Sequence, residues 1–340
     1  MQPTQLLYPE LNGPSKKVVI TTHQKPDGDA MGSSLGLFHF LTQLGHQVQV
    51  ISPTNWANFL NWMPGVESVL DFETEMDRCT NLINEADWVF CLDFNALVRT
   101  KRMESALAQT PAIRILIDHH QEPQSHLFTY GVSDTTKSST AEMVYDFIIG
   151  SGLDQLINNE IAQCLYAGVM TDTGSFRFPS TSPAVHTMVA HLLKLGLKQS
   201  IIHEKLFDQF SENRLRFIGN TLLNRMQVFY EYNTALIAIP QADLVKYDIK
   251  TGDTEGLVNY PLSIEGIKLA AIIIDRGEER RCSFRSKGDF DVNTFARNHF
   301  NGGGHYNAAG GLSKEKLENV VEKFIQTLPN YKDQLSTYTF

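Results

Sequence analysis

The sequence predicts an α/β protein of two domains, a mainly parallel sheet flanked by helices followed by a smaller α/β domain. Three observations lead there. Short β-branched runs alternate with helical periodicity through the first half of the chain. The alternation resumes in shorter form after residue 230. The length of 340 residues also exceeds a single ordinary core, at about 100–200 residues per domain.

Taken in order, residues 17–22 read as a strand, 30–44 as a helix and 47–51 as a second strand. Residues 88–93 and 114–118 follow as strands, and helical patterns cover 140–149, 160–170 and 184–195. The strand interiors VVI, WVFCL and IRILI are apolar throughout, as strands covered on both faces require. Strands alternating with helices imply right-handed crossovers and parallel pairing. This first domain is assigned to 15–198. Residues 199–229 are assigned as a helical connector, with 201–226 helical and rich in charge. The second domain spans 230–340. Its strands are 234–239, 267–275 and 280–286, the last two paired across DRGEER, and its helices are 292–298 and 313–327.

Composition narrows the function. The chain is 42% hydrophobic and 20% charged, ordinary globular values. It is long enough to bury a core without disulfides or structural metal, so any metal is expected to be catalytic. Cys79, Cys91, Cys164 and Cys282 form no C-x-x-C pair, which argues against a zinc ribbon and a secreted disulfide framework. The start lacks a cationic segment followed by an apolar one, and no apolar run approaches the roughly 18 residues of a membrane helix. A cytoplasmic protein with no membrane partner is expected. The net charge of −9 argues against duplex DNA, which demands a basic excess. A short nucleotide can still be held by local cations or bound metal.

Acids and histidines collect at three strand ends. The first strand runs into THQKPDGDA with His23, Asp27 and Asp29. The second ends at Asp93 in CLDFN, and the third at Asp118, His119 and His120 in IDHH. Parallel strands deliver these ends to one edge of the sheet, where ligand sites form. Asp172, in TDTGSFRF after an apolar helical segment, is a fourth candidate. Singly, each has an ordinary structural reading: a strand-end Asp commonly makes a turn, and Asp29 could cap the helix that begins near residue 30. Jointly they favour a metal site, because clustered carboxylates repel unless cations neutralise them. Two divalent ions offset four carboxylates. Mixed imidazole and carboxylate donors suit Mn2+, with Mg2+ compatible and zinc less so.

In the second domain NGGGHYNAAGG places Gly302, Gly303 and Gly304 in succession, expected to take positive φ and form an anion nest with His305 at its lip. Arg285 in CSFRS offers a guanidinium fork for phosphate, and Arg276, Arg280, Arg281 and Lys287 add positive potential. A plain flexible turn is the ordinary alternative for such a glycine run. The remaining histidines (His39, His46, His126, His186, His191, His203 and His299) read as structural or surface groups.

The motifs THQKPDGDAMGSSLG, CLDFN, IDHH and TDTGSFRF resemble, in order, the four motifs of DHH phosphoesterases. SFRS and GGGHYNAAGG resemble the DHHA1 half, and the likeness runs from about residue 17 to about 328. It is nearest to the NrnA-like branch, which joins oligoribonuclease and 3′-phosphoadenosine 5′-phosphate (pAp) phosphatase activities. The resemblance implies that His23, Asp27 and Asp93 hold one metal, while Asp29, Asp93, His119 and Asp172 hold the other, with Asp93 bridging. It implies that Asp118 orients a ligand histidine, that His120 lies near the scissile phosphate, and that Arg285 and His305 bind the substrate's phosphate. In-line hydrolysis by two-metal chemistry follows. Expected partners are short RNA oligonucleotides, including dinucleotides such as pApA, or mononucleotide bisphosphates; a homodimer is compatible. The rivals are a pyrophosphatase or exopolyphosphatase of the same superfamily, and a non-catalytic nucleotide-binding regulator, which should have lost a ligand.

Overall fold

The computed structural model describes residues 1–336, so the last four residues of the expected 230–340 domain lie outside the described residues. The chain divides into two compact units, Met1–Gln209 and a second that begins at Phe210. The first holds a six-stranded sheet: β1 (Lys17–Thr21), β2 (Gln47–Ser52), β3 (Leu70–Asp71), β4 (Trp88–Leu92), β5 (Ile113–Asp118) and β6 (Tyr130–Ser133). The spatial order is β3-β2-β1-β4-β5-β6 and every pairing is parallel. Succession reverses between β1 and β4, so the loops leaving these two strands diverge and open a crevice at their C-terminal ends.

All five residues of β4 are buried, as a central strand covered on both sides should be. On one face Ile20, Phe90 and Ile117 pack with the helices Gly28–Gln43, Thr140–Gly150 and Asn159–Asp172. On the other, Val19, Val89, Cys91 and Leu116 pack with Cys79, Ile83 and Leu107. The helices Gly28–Gln43 and Asn159–Asp172 cross closely: a Cβ at Gly32 would collide with the Cys164 carbonyl, and one at Gly168 would lie 3.0 Å from Asp29 Oδ1. Because Gly28 meets Thr171 while Gly36 meets Leu165, the two helices run in opposite directions. Asp29 at the start of one therefore comes near Asp172 at the end of the other.

The second unit carries β7 (Met226–Phe229), β8 (Thr234–Ile239), β9 (Leu269–Asp275), β10 (Arg280–Ser286), β11 (Gly303–His305) and β12 (Ala308–Ser313), ordered β11-β12-β10-β9-β8-β7. Only β8 and β9 pair in parallel. Phe284, Phe295, Phe300 and Phe324 form an aromatic core on one face, and Phe217, Leu244 and Leu257 cover the other. The α/β architecture with a mainly parallel first sheet is the one expected.

The stretch 201–226 is not one helix. Gln199–Phe207 ends in the first unit, and Glu212–Asn224 begins the second, capped by Ser211 Oγ accepting from Arg214 N–H at 3.1 Å. The Phe210 ring lies 3.7 Å from the Arg214 guanidinium across that break. Residues 313–316 are not helical either, since β12 runs to Ser313 and the helix starts at Leu317.

Candidate metal centre

The three strand ends converge as the topology requires. His23 follows β1 by two residues. Its Nδ1–H donates to the Gln24 carbonyl at 2.8 Å, which turns Nε2 toward the carboxylates. That Nε2 lies 3.4 Å from Asp93 Oδ2 and 3.9 Å from Asp27 Oδ2. Asp27 is the N-cap of the helix Gly28–Gln43: its Oδ1 accepts from the N–H groups of Asp29 and Ala30, both at 3.0 Å. The capping role considered for Asp29 thus belongs to Asp27, which keeps Oδ2 turned toward His23.

Asp93 stands just beyond β4 with φ of 62°, a left-handed conformation that turns the chain over the sheet edge. It is buried. While Oδ2 faces His23, Oδ1 lies 3.4 Å from His119 Nε2. His119 is held from behind by its Nδ1, 3.3 Å from the Lys137 carbonyl. Its Nε2 also lies 3.3 Å from Asp172 Oδ2 and 3.9 Å from Asp29 Oδ2. Two ligand-like groups meet at one carboxylate: His23, Asp27 and Asp93 on one side, and Asp29, Asp93 and His119, joined by Asp172, on the other.

Asp118, the last residue of β5, accepts from His120 Nδ1–H at 2.7 Å. The imidazole it orients is therefore His120 rather than His119, which the Lys137 carbonyl holds. Although Asp93, Asp118 and His120 also cluster, the oxygen of Asp118 nearest the ring is committed to that hydrogen bond.

Electrostatics show what the cluster lacks. Burial raises the Asp29 carboxyl well above its usual range, and the neighbouring charges of Asp93 and Asp172 add to the shift. Burial disfavours charge on His119, but Asp93, Asp172 and Asp29 outweigh it and drive the ring to bind a proton. Burial would raise Asp93 too, yet His119 and His23 hold it well below the usual range. The cluster demands positive charge, and a divalent cation between imidazole and carboxylate donors satisfies that demand. Both imidazoles present the nitrogen such an ion takes, so the donor set fits.

His120 goes the other way: burial, then the positive charges of Arg99 and neighbouring histidines, hold it well below the ordinary value, so the ring is neutral near pH 7. Arg99 is a residue the sequence reading passed over. It lies in the short helical turn Leu97–Met103 after β4, its carbonyl accepts from Gln24 N–H at 2.9 Å, and its charge also reaches His23 and Asp118. No hydrogen bond or ion pair of its side chain is found among the described residues. Thr140 was passed over as well, and its hydroxyl donates to Asp93 Oδ1 at 3.0 Å.

In the second unit the glycines depart from expectation. Gly303 and Gly304 lie in β11, an edge strand antiparallel to β12; Gly304 has the expected positive φ, at 157°, but Gly302 and Gly303 do not, so no nest of alternating conformations forms. The glycines serve close approach instead. A Cβ at Gly302 would collide with the Gly310 carbonyl, and one at Gly304 would lie 2.5 Å from the Ala308 carbonyl. Arg285, on β10, donates Nη1–H to the Phe284 carbonyl at 3.0 Å and pairs in register with Ala308; His305 ends β11 opposite the same Ala308. Arg280 and Arg281 are paired with Asp275 and Glu279, which cancels much of their expected positive potential. Most of the histidines read as structural have structural partners, such as His46 with the Leu11 carbonyl at 3.0 Å and His299 with the Tyr331 hydroxyl at 2.7 Å. The four thiols are buried, and no helix among the described residues is long and apolar enough to cross a membrane.

Comparison with known proteins gives the family. Residues 17–169 match the DHH family N-terminal domain, and residues 230–330 match the DHHA1 domain. The chain is 30% identical to the bifunctional oligoribonuclease and PAP phosphatase NrnA of Thermus thermophilus, over 92% of this chain and 89% of that one. It is 27% identical to the Bacillus subtilis protein of the same name, over 86% and 88%. Among solved structures, an exopolyphosphatase-related protein from Bacteroides fragilis superposes with a TM-score of 0.93 at 39% identity, covering 98% of this chain and 97% of that one. RecJ of Thermus thermophilus, solved with Mn2+, shares the fold at a TM-score of 0.51 and 13% identity, covering 97% of this chain and 54% of RecJ. With both domain models matched in order and a relative alike over nearly its whole length, the chain belongs to the DHH family and is a hydrolase of phosphoester bonds.

Proposed function

We propose that this hydrolase cleaves short RNA oligonucleotides, dinucleotides such as pApA included, and removes the 3′-phosphate of pAp, with two divalent cations bound about Asp93. The observation that carries the proposal is the division of the Asp93 carboxylate, Oδ2 at 3.4 Å from His23 and Oδ1 at 3.4 Å from His119. On this reading His23, Asp27 and Asp93 take one ion, and Asp29, Asp93, His119 and Asp172 the other, with Mn2+ fitting the mixed donors best. Such a pair of ions supplies charge neutralisation at the phosphoryl group and a water acidic enough to attack in line.

The chain's own groups complete the chemistry. With Nδ1–H bound to Asp118, neutral His120 presents an unprotonated Nε2 that accepts a proton beside the scissile phosphate. Arg99 supplies a guanidinium to phosphoryl oxygens. In the second unit, Arg285 and His305 bind a phosphate of the substrate. The partners are then short RNAs and mononucleotide bisphosphates in the cytoplasm. The names of the NrnA relatives support this substrate class.

A product analysis tests it. The purified chain with Mn2+ is given pAp, pApA, a 5-mer RNA, pyrophosphate and polyphosphate. AMP from pAp, or mononucleotides from the RNAs, is the expected result. Consumption of the inorganic substrates alone would favour a second reading, inorganic polyphosphate hydrolysis, which the name of the Bacteroides fragilis protein brings forward.

A further inference from the structure

The side chains assigned to the cations come from separate strand ends, yet one short segment touches three of them. Within residues 137–141, the Lys137 carbonyl faces His119 Nδ1 at 3.3 Å and the Thr140 hydroxyl donates to Asp93 Oδ1 at 3.0 Å. The N–H groups of Thr140 and Ala141 donate to the two oxygens of Asp29 at 2.7 and 2.8 Å. The segment is itself braced. Buried Glu142 accepts from Ser138 N–H at 2.8 Å and from Ser138 Oγ at 2.7 Å, and pairs with Lys137 Nζ at 3.2 Å.

Thr140 stands out because its hydroxyl has no work to do for the helix. Ser139 already caps Thr140–Gly150 by accepting from Glu142 N–H at 3.0 Å. A β-branched residue at the first helical position adds no helix propensity. The residue is fully buried, and its hydroxyl points at a carboxylate whose terminal torsion is intrinsically broad. A hydrogen bond to one oxygen restricts that torsion and fixes which oxygen faces each side of the site.

We propose that Thr140 is a positioning residue, whose hydroxyl sets the rotation of the Asp93 carboxylate so that one oxygen serves each cation, while its N–H fixes Asp29 in the same frame. The inference rests on the two-cation reading above. It assigns to Thr140 the setting of the Asp93 and Asp29 carboxylates and leaves the ligands as given.

The test compares Thr140→Val, which removes the hydroxyl at nearly constant shape, with Thr140→Ser, which retains it. Mn2+ binding to the full chain is measured by calorimetry, and exchange coupling between the bound ions by electron paramagnetic resonance. Thr140→Val is expected to weaken one of two Mn2+ sites by about 10–100-fold and to lose the coupled signal. Thr140→Ser is expected to restore both. If the valine fails to pack, Thr140→Ala against Thr140→Ser gives the same contrast. Two sites of wild-type affinity and coupling in the hydroxyl-less variants would overturn the role of Thr140 alone. A wild-type chain that binds no Mn2+ would overturn the two-cation reading together with it.

Discussion

Asp118 gives one carboxylate oxygen to His120 Nδ1 at 2.7 Å, while its other oxygen is buried with no hydrogen-bond partner among the described residues. Half of this carboxylate orients an imidazole, and the other half is enclosed by the protein. Burial, with the charge of Asp93 behind it, raises its pKa to about 6.

Asp118→Asn should therefore lower kcat by about 10–100-fold with little change in KM, since the amide oxygen can still accept from the ring but the negative charge is gone. Stability should respond in the opposite sense. The folded carboxyl holds a proton that the unfolded chain has released between about pH 4 and pH 6, so the wild type loses stability as pH rises through that window. Thermal unfolding in chelator across that window should show a flatter profile for the variant.

Asp93→Asn should abolish turnover, by about 100-fold or more, while the fold survives. Its φ of 62° is one that asparagine tolerates better than other side chains, so the turn after β4 is kept. Steady-state rates beside circular dichroism separate the two effects. Near-normal rates in the variant would remove Asp93 from the bridging position.

Arg99→Ala should raise KM by roughly 10–100-fold, the scale of a lost charge-assisted contact to phosphate. It should also move a titration. The Arg99 charge helps to hold His120 low, so its removal raises that pKa toward the ordinary histidine value. Because the reaction needs the neutral ring, the acid limb of the kcat/KM profile should shift to higher pH. An unmoved limb would place the guanidinium away from the reacting groups.

Gly302→Ala should destabilise the second unit by about 1–3 kcal/mol, since the added methyl meets the Gly310 carbonyl. Hydrogen exchange should reveal the loss first in β11 and β12. Mn2+ binding should be unchanged, because every ligand assigned to it lies in the first unit.

What the sequence disclosed depends on how much each element says in side chains. β1, β4 and β5 were legible because VVI, WVFCL and IRILI are apolar runs of strand length. β3 has two residues, β6 reads YGVS, and β12 begins AAGG, too short or too bare to alternate. The break at 208–211 did carry a signal, Ser211 in capping position, that the charged periodicity around it concealed. The glycines of β11 were taken for conformational freedom where they serve closeness. At the site, His23, Asp27, Asp29, Asp93 and His119 were legible as chemistry at strand ends. Thr140 looked like an ordinary helix start, Arg99 like one cation among several, and the Lys137 carbonyl has no sequence signature at all.

His23 and His119 each turn Nδ1 toward a main-chain carbonyl, of Gln24 and of Lys137. The rings are therefore aimed by folding itself, and an arriving ion has little left to order. Loading should then be quick, and the ion held the more tightly for it. One metal could replace another in a finished molecule without refolding, so the supply of ions in the cell, more than the shape of the protein, would decide which one is carried.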